Sequence, residues 1–194
     1  MSTQSAAVRD WTYDDFARLP DDGNRYEVIA GELFVTPPPD TPHQEASARF
    51  FMEMRDFATR KHGLGLVLYA PVAVVLGDGD YVEPDIVFLR REHEHYRTRR
   101  AIEGPPDLVV EILSPATARQ DRGVKRQRYA QFGVAEYWIV DTDRRRVEVY
   151  RLREDPDHAR LVADRLTWSP VPGGPVLELN VVELLADLDP ARER

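Results

Sequence analysis

Apolar residues recur along this chain with two different periods, and the switches between them mark its elements. Thr12, followed three residues later by Asp15, predicts a capped short helix running to Leu19. Arg25 to Thr36 alternates apolar and polar side chains around Ala30-Gly31, the pattern of a β-hairpin. Pro37, Pro38 and Pro39 then break the chain. A helix is predicted from Thr41-Pro42-His43-Gln44, with Thr41 as cap, Pro42 in the first turn and Gln44 completing a capping box. Ala46, Phe50, Met54, Phe57 and Ala58 recur at helical spacing and carry it to about His62-Gly63.

The period then changes. Leu66 to Leu76 and Tyr81 to Leu89 read as two strands joined by the Gly77-Asp78-Gly79-Asp80 turn. Arg90 to Arg100 is a charged loop or short helix, and Gly104-Pro105-Pro106 breaks the chain before a strand from Asp107 to Leu113. A helix over Thr117 to Phe132, stopped by Gly133, precedes an apolar strand from Ala135 to Asp141. Val147 to Arg151 and Arg160 to Ala163 read as a hairpin turning near Asp155-Pro156-Asp157. Asn180, with Glu183, caps a last helix over Val181 to Ala186. Apolar runs bounded by turn residues suit central strands, and the element order predicts an α/β fold with a mixed sheet flanked by helices.

A length of 194 residues predicts one domain over 11–194 behind a loose tail at 1–10. Charged residues make up 31% of the chain, the profile of a folded soluble protein. No apolar run approaches the roughly 20 residues of a membrane span. The first residues lack the apolar stretch of a secretory signal, and the absence of cysteine removes disulfides and thiolate metal sites. These features together point to the cytoplasm. A net charge of −8 argues against a general nucleic-acid coat, but leaves room for a local basic groove.

Lysine usage sharpens the picture. Of 26 basic side chains only Lys61 and Lys125 are lysines, and lysine is the compact cation whose pKa a site can tune. Lys125 follows two apolar runs that each carry an isolated acid, Asp85 in Glu83-Pro84-Asp85-Ile86-Val87-Phe88-Leu89 and Glu111 in Asp107-Leu108-Val109-Val110-Glu111-Ile112-Leu113. A carboxylate inside a buried strand costs several kcal/mol unless it is paired or metal-bound. Two of them on neighbouring strands resemble a hard-cation site, since Mg²⁺ takes one or two carboxylates and fills its shell with water and phosphate. Asp107 and Glu111 share a strand face but lie ~13 Å apart, so Glu111 is paired with Asp85, and Asp107 is placed at the strand entrance as a hydrogen-bond acceptor.

Thr117, Asp121, Lys125 and Tyr129 recur every four residues and share a helix face. Two readings stand. The helix is a solvated one with an Asp121–Lys125 ion pair, or it aims Lys125 at the acids and uses Arg119, Arg122, Arg126 and Arg128 on phosphates. Glu27 on its hairpin reads as solvated, and Glu92-His93-Glu94-His95 lacks a nearby third histidine to complete a metal site. Tyr137-Trp138 reads as core.

The runs Glu83-Pro84-Asp85-Ile86-Val87, Pro106-Asp107-Leu108-Val109-Val110-Glu111-Ile112-Leu113-Ser114-Pro115, Asp121-Arg122-Gly123-Val124-Lys125 with Tyr129, and Gly133 through Asp141 resemble, in order and spacing, the Uma-two family of the PD-(D/E)XK nuclease superfamily. The resemblance runs from about Trp11 to Leu188. It implies a restriction-endonuclease-like fold and Mg²⁺-dependent cleavage of DNA, with Mn²⁺ as a substitute ion. Carried over, Asp85 and Glu111 are the two acids, and the backbone carbonyl of Ile112 helps hold the ion. Leu113 stands where the superfamily motif has its lysine, and the resemblance moves that role to Lys125. Glu27 and His43 also match family positions, with Asp107 and Tyr129 as further accessory candidates. Cleaving two antiparallel strands implies a two-fold homodimer. The rival expectation is a catalytically silent binding or assembly module on the same fold.

Overall fold

The computed structural model describes residues 11–188, so the tail expected over 1–10 lies outside the described residues. The strands are β1 (Arg25–Ile29), β2 (Glu32–Thr36), β3 (Gly65–Tyr69), β4 (Val74–Gly77), β5 (Asp80–Val82), β6 (Ile86–Arg90), β7 (Ile102–Glu103), β8 (Leu108–Ile112), β9 (Glu136–Asp141), β10 (Arg146–Arg151), β11 (Asp155–Val162), β12 (Arg165–Trp168) and β13 (Leu177–Asn180). The helices are α1 (Tyr13–Phe16), α2 (Thr41–Arg55), α3 (Ala118–Gln120), α4 (Arg126–Phe132) and α5 (Val181–Leu184). Wide π-helical turns extend α2 over Asp56–Lys61 and bridge α3 to α4 over Asp121–Lys125.

A six-stranded mixed sheet, ordered β11-β10-β9-β8-β6-β3, forms the centre, and a five-stranded sheet, ordered β2-β1-β5-β4-β7, packs beside it. Strand alternation sorts the central sheet's side chains onto two buried faces. Phe88, Val110 and Trp138 join Phe50 and Met54 of α2 in one core, while Val87, Val109 and Ile139 join Tyr129 of α4 and Ile29 and Val74 of the second sheet in another. Glu111 lies in register with Val109 and so projects into this second layer, among helix, sheet and hairpin. β8 and β9 pair in parallel, with Glu111 opposite Ile139, and the helix crossing between them carries Lys125 over that same face. Gly133 ends the crossing in the left-handed region, at φ 87°, where a side chain would be strained.

Several boundaries differ from the sequence pattern. The long strands expected over 66–76 and 81–89 are each broken, so that β3 and β6 pair in the central sheet while β4 and β5 pair in the second. The second break falls at Glu83-Pro84-Asp85, because Pro84 cannot donate to a ladder. Asp85 therefore sits at the kink before β6 rather than inside a strand. Asp40, not Thr41, caps α2, accepting the His43 N–H at 2.9 Å. The β10–β11 hairpin turns at 152–154, placing Asp155-Pro156-Asp157 within β11. β7, β12 and β13 were not foreseen. They are short pieces: β7 pairs in parallel with β4, and β12 pairs with β13 across the loop that joins them. Among the described residues no helix is long and apolar enough to cross a membrane.

Candidate active site

The break between β5 and β6, the strand β8, the hairpin strand β1 and the bridging turn over Asp121–Lys125 meet at one point. Asp85 and Glu111 are buried there, and Ile86 pairs with Val110, which makes the two acids neighbours across adjacent strands. Asp85 is fully engaged. Its Oδ1 accepts from Arg25 Nη2 at 2.8 Å, and its Oδ2 accepts from the Ile112 backbone N–H at 2.8 Å and faces His43 Nε2 at 3.2 Å.

Lys125 is 2% exposed and lies among three acids: Nζ stands 2.8 Å from Glu27, 2.9 Å from Glu111 and 3.4 Å from Asp121. The Tyr129 hydroxyl donates to the same Glu111 oxygen at 3.1 Å. Glu27 also accepts the Glu83 backbone N–H at 3.0 Å, tying the hairpin to the kink. The solvated-helix reading thus falls: Asp121, Lys125 and Tyr129 form a buried polar stripe, and Glu27, expected to be solvated, is itself buried.

The chain matches the Uma2 family model, whose description is "Putative restriction endonuclease", over residues 13–182. It belongs to that family. Among solved structures, the Uma2 chain is similar to "a putative nuclease belonging to DUF820" from Anabaena variabilis, with a TM-score of 0.73 and 21% identity, covering 92% of this chain and 99% of that one. No curated protein matches. The likeness at that identity shows a shared fold, and the Uma2 assignment makes the chain nuclease-like.

The Uma2 site is strongly polarised. Burial pushes the Asp85 carboxyl up, but the His43 hydrogen bond, the Arg25 charge and the Ile112 N–H overcome it and hold its pKa at about 2. Glu111 goes the other way. Burial raises it, Lys125 pulls it down, and repulsion from Asp121, Asp85 and Glu27 helps leave it at about 8. Asp121 is also raised, chiefly by burial. Burial would lower the Lys125 ammonium, yet Glu111, Glu27 and Asp121 keep its pKa well above the ordinary lysine value. Lys125 is therefore a permanent cation here.

These opposed shifts set a pH dependence. Between pH 4.5 and about 8 the folded chain keeps a proton on Glu111 that the unfolded chain has released, so stability falls as pH rises through that window. Asp85 contributes stability above pH 3.8 that is lost as pH falls toward about 2. In a chelating buffer the fold is expected to be more stable at pH 5.5 than at pH 8.5, by on the order of a few kcal/mol, with a higher unfolding midpoint. Glu111→Gln should flatten that slope. A midpoint equally steep in the variant would remove Glu111 as its source.

The remaining candidates lie around this centre. Asp107 is at the β8 entrance as expected, accepting the Arg90 backbone N–H at 2.8 Å and contacting His93 Nδ1 at 2.9 Å, away from the Lys125 cluster. His93 belongs to a 3-10 turn, and among the described residues no group of three or more His, Cys, Asp or Glu stands ready to hold a metal. Of the helix arginines, Arg122 pairs with Asp141 at 2.9 Å and Glu148 at 2.7 Å, Arg126 with Asp157 at 2.8 Å, and Arg128 with Asp80. They are partly buried braces rather than the exposed cations expected; Arg119 alone among the four is exposed. Sequence reasoning missed Arg25 entirely and did not count Asp121 in the site. The signal for Arg25 was its place two residues before Glu27 on the same strand face.

Proposed function

We propose that this chain hydrolyses DNA phosphodiester bonds with a divalent cation, Mg²⁺ or Mn²⁺. The observation that carries the reading is the buried Lys125 held between Glu27 and Glu111 beside Asp85. Asp85, Glu111 and the Ile112 carbonyl would hold the ion. The donor set fits: all ligands are hard oxygens, and both oxygens of the adjoining Asp121 are buried with no hydrogen-bond partner among the described residues, beside the Lys125 charge at 3.4 Å. Four carboxyl groups, Glu27, Asp85, Glu111 and Asp121, converge on the cations Arg25 and Lys125, and the raised Glu111 and Asp121 carboxyls are groups that a bound cation would help to ionise. A preformed three-ligand group is not required of Mg²⁺, which keeps water and substrate oxygens in its shell.

When bound, the ion supplies Lewis acidity and a more acidic water. The chain's own groups do the rest. The Lys125 ammonium offsets charge as it builds on the phosphate during attack by water. Tyr129 fixes the Glu111 carboxylate through its hydroxyl, and Glu27 and Asp121 hold the ammonium in place. Arg25 and His43 keep Asp85 ionised and must yield part of it when a cation arrives. We place the enzyme in the cytoplasm as a two-fold dimer if both strands are cut, a state that sedimentation would test directly.

Mn²⁺ at about 100 times its dissociation constant should stabilise the fold by about 2.7 kcal/mol, roughly 5–11 °C in the unfolding midpoint. That shift should vanish in Asp85→Asn/Glu111→Gln and be accompanied by Mg²⁺-dependent cleavage of DNA in the wild type. The full engagement of Asp85 by protein donors favours one rival, a silent module. It predicts neither metal-dependent stabilisation nor cleavage.

A further inference from the structure

The acids of the site are recessed, and two cavities are lined by side chains that contact Asp85, Arg25 in both and His43 in one. One of about 560 Å³ is bounded by Tyr13, Phe16, Tyr26 and Arg100 and reaches Glu83. The other, of about 230 Å³, is bounded by Thr36, His43, Ser114 and Thr117. They share Arg25, Pro38 and Pro39, so the Arg25 guanidinium that grips Asp85 stands at their junction.

Their chemistry differs. The larger cavity falls within the roughly 300–1,000 Å³ typical of small-molecule sites. Its aromatic walls are anchored: the Tyr26 hydroxyl donates to Asp22 at 2.9 Å, and the Arg100 guanidinium lies 5.1 Å from the centre of the Tyr13 ring. The smaller cavity is polar. His43 is 7% exposed and turns Nε2 to Asp85, while its Nδ1 is buried and has no hydrogen-bond partner among the described residues. Arg25 uses Nη2 on Asp85, and a guanidinium carries five N–H donors.

We infer that the site takes single-stranded DNA, with one nucleoside seated against Tyr13 and Tyr26 and the adjoining phosphate on Arg25 and His43, an inference that rests on the nuclease reading. Stacking surfaces beside cations are the mark of single-strand recognition. A continuous duplex needs a run of phosphate contacts from free cations. Here Arg122, Arg126 and Arg128 are committed to the chain's own acids, and the net charge is −8. A flexible strand can also bend its phosphate into a recess that the stacked duplex cannot enter without flipping a nucleotide out. A single-stranded substrate does not require the two-fold dimer.

The test is fluorescence anisotropy of the full chain in a chelating buffer with three probes: a labelled single strand, the duplex of the same sequence, and an abasic strand with the same phosphates. The single strand should bind at least roughly ten-fold more tightly than either other probe, the scale of one stacked base. Tyr26→Leu should lose most of that preference and Tyr26→Phe should keep it. Equal or tighter duplex binding, or equal binding of the abasic strand, overturns the inference, and the abasic comparison needs no variant to fold. Mn²⁺-dependent duplex cleavage without single-strand preference would overturn this seat and leave the nuclease reading. A preserved preference with no cleavage would overturn the nuclease reading and leave the seat.

Discussion

Lys125→Met is expected to lower the unfolding midpoint by roughly 6–20 °C and to reduce cleavage by about two orders of magnitude or more. Methionine keeps much of the aliphatic stem, so packing changes little. What is lost is the only lysine charge in a buried group that also holds Glu27, Glu111 and Asp121, all within 3.4 Å of Nζ. Breaking a buried ion pair from one side costs about 3–5 kcal/mol, because the partners remain buried and unpaired. The loss should be smaller at pH 5.5 than at pH 8.5, since protonated acids no longer need the cation. Lys125→Arg should also be impaired, because a planar guanidinium does not fit the space of a compact ammonium. Calorimetry at both pH values and a timed cleavage assay check these outcomes. An unchanged midpoint would contradict the buried cluster, and full activity in a folded variant would remove Lys125 from the chemistry.

Asp85→Asn should abolish more activity than stability. The substitution keeps an oxygen for the Ile112 N–H but removes the charge that faces Arg25 and His43. On the proposed role of Asp85 as a metal ligand, its loss is expected to slow cleavage roughly three orders of magnitude, about 4 kcal/mol of barrier. Asp107→Asn is the matched control. Asp107 is also buried and also contacts an arginine and a histidine, Arg90 at 3.4 Å and His93 at 2.9 Å. It should lose stability while leaving the rate per folded molecule near that of the wild type. Equal rates in the two variants would mean that Asp85 acts only as a structural acid.

The helix arginines show how a charge pattern misleads when read alone. Arg122, Arg126 and Arg128 follow one another at the spacing of a solvated basic face. In the fold Asp141 and Glu148 on β9 and β10, Asp157 on β11 and Asp80 at the start of β5 come to meet them. Those acids lie 19 to 48 residues away in sequence, a range that no local pattern records. The same blindness made Glu27 look solvated. Its hairpin alternates apolar and polar residues, yet both faces of β1 are covered, one by the crossing helix that brings Lys125.

Local chemistry along the chain determined much of this protein. Alternation and apolar runs marked the central strands, capping residues marked the start of α1 and α5, and Gly133 marked the end of the crossing helix. Asp85 and Glu111 stood out because a charge in an apolar run needs a partner wherever the run is buried, and Lys125 because only two of the 26 basic side chains are lysine. Tertiary structure alone decided who those partners are. Parallel pairing of β8 with β9 carries the crossing helix over the Glu111 face, and the kink at Pro84 turns Asp85 toward Ile112. Arg25 comes from a hairpin 60 residues before Asp85, and Glu27 lies 56 residues before the Glu83 N–H it accepts, distances across which sequence periodicity carries no information. Burial and ion pairing depend on which surfaces meet, and that is a property of the assembled sheets rather than of any one segment.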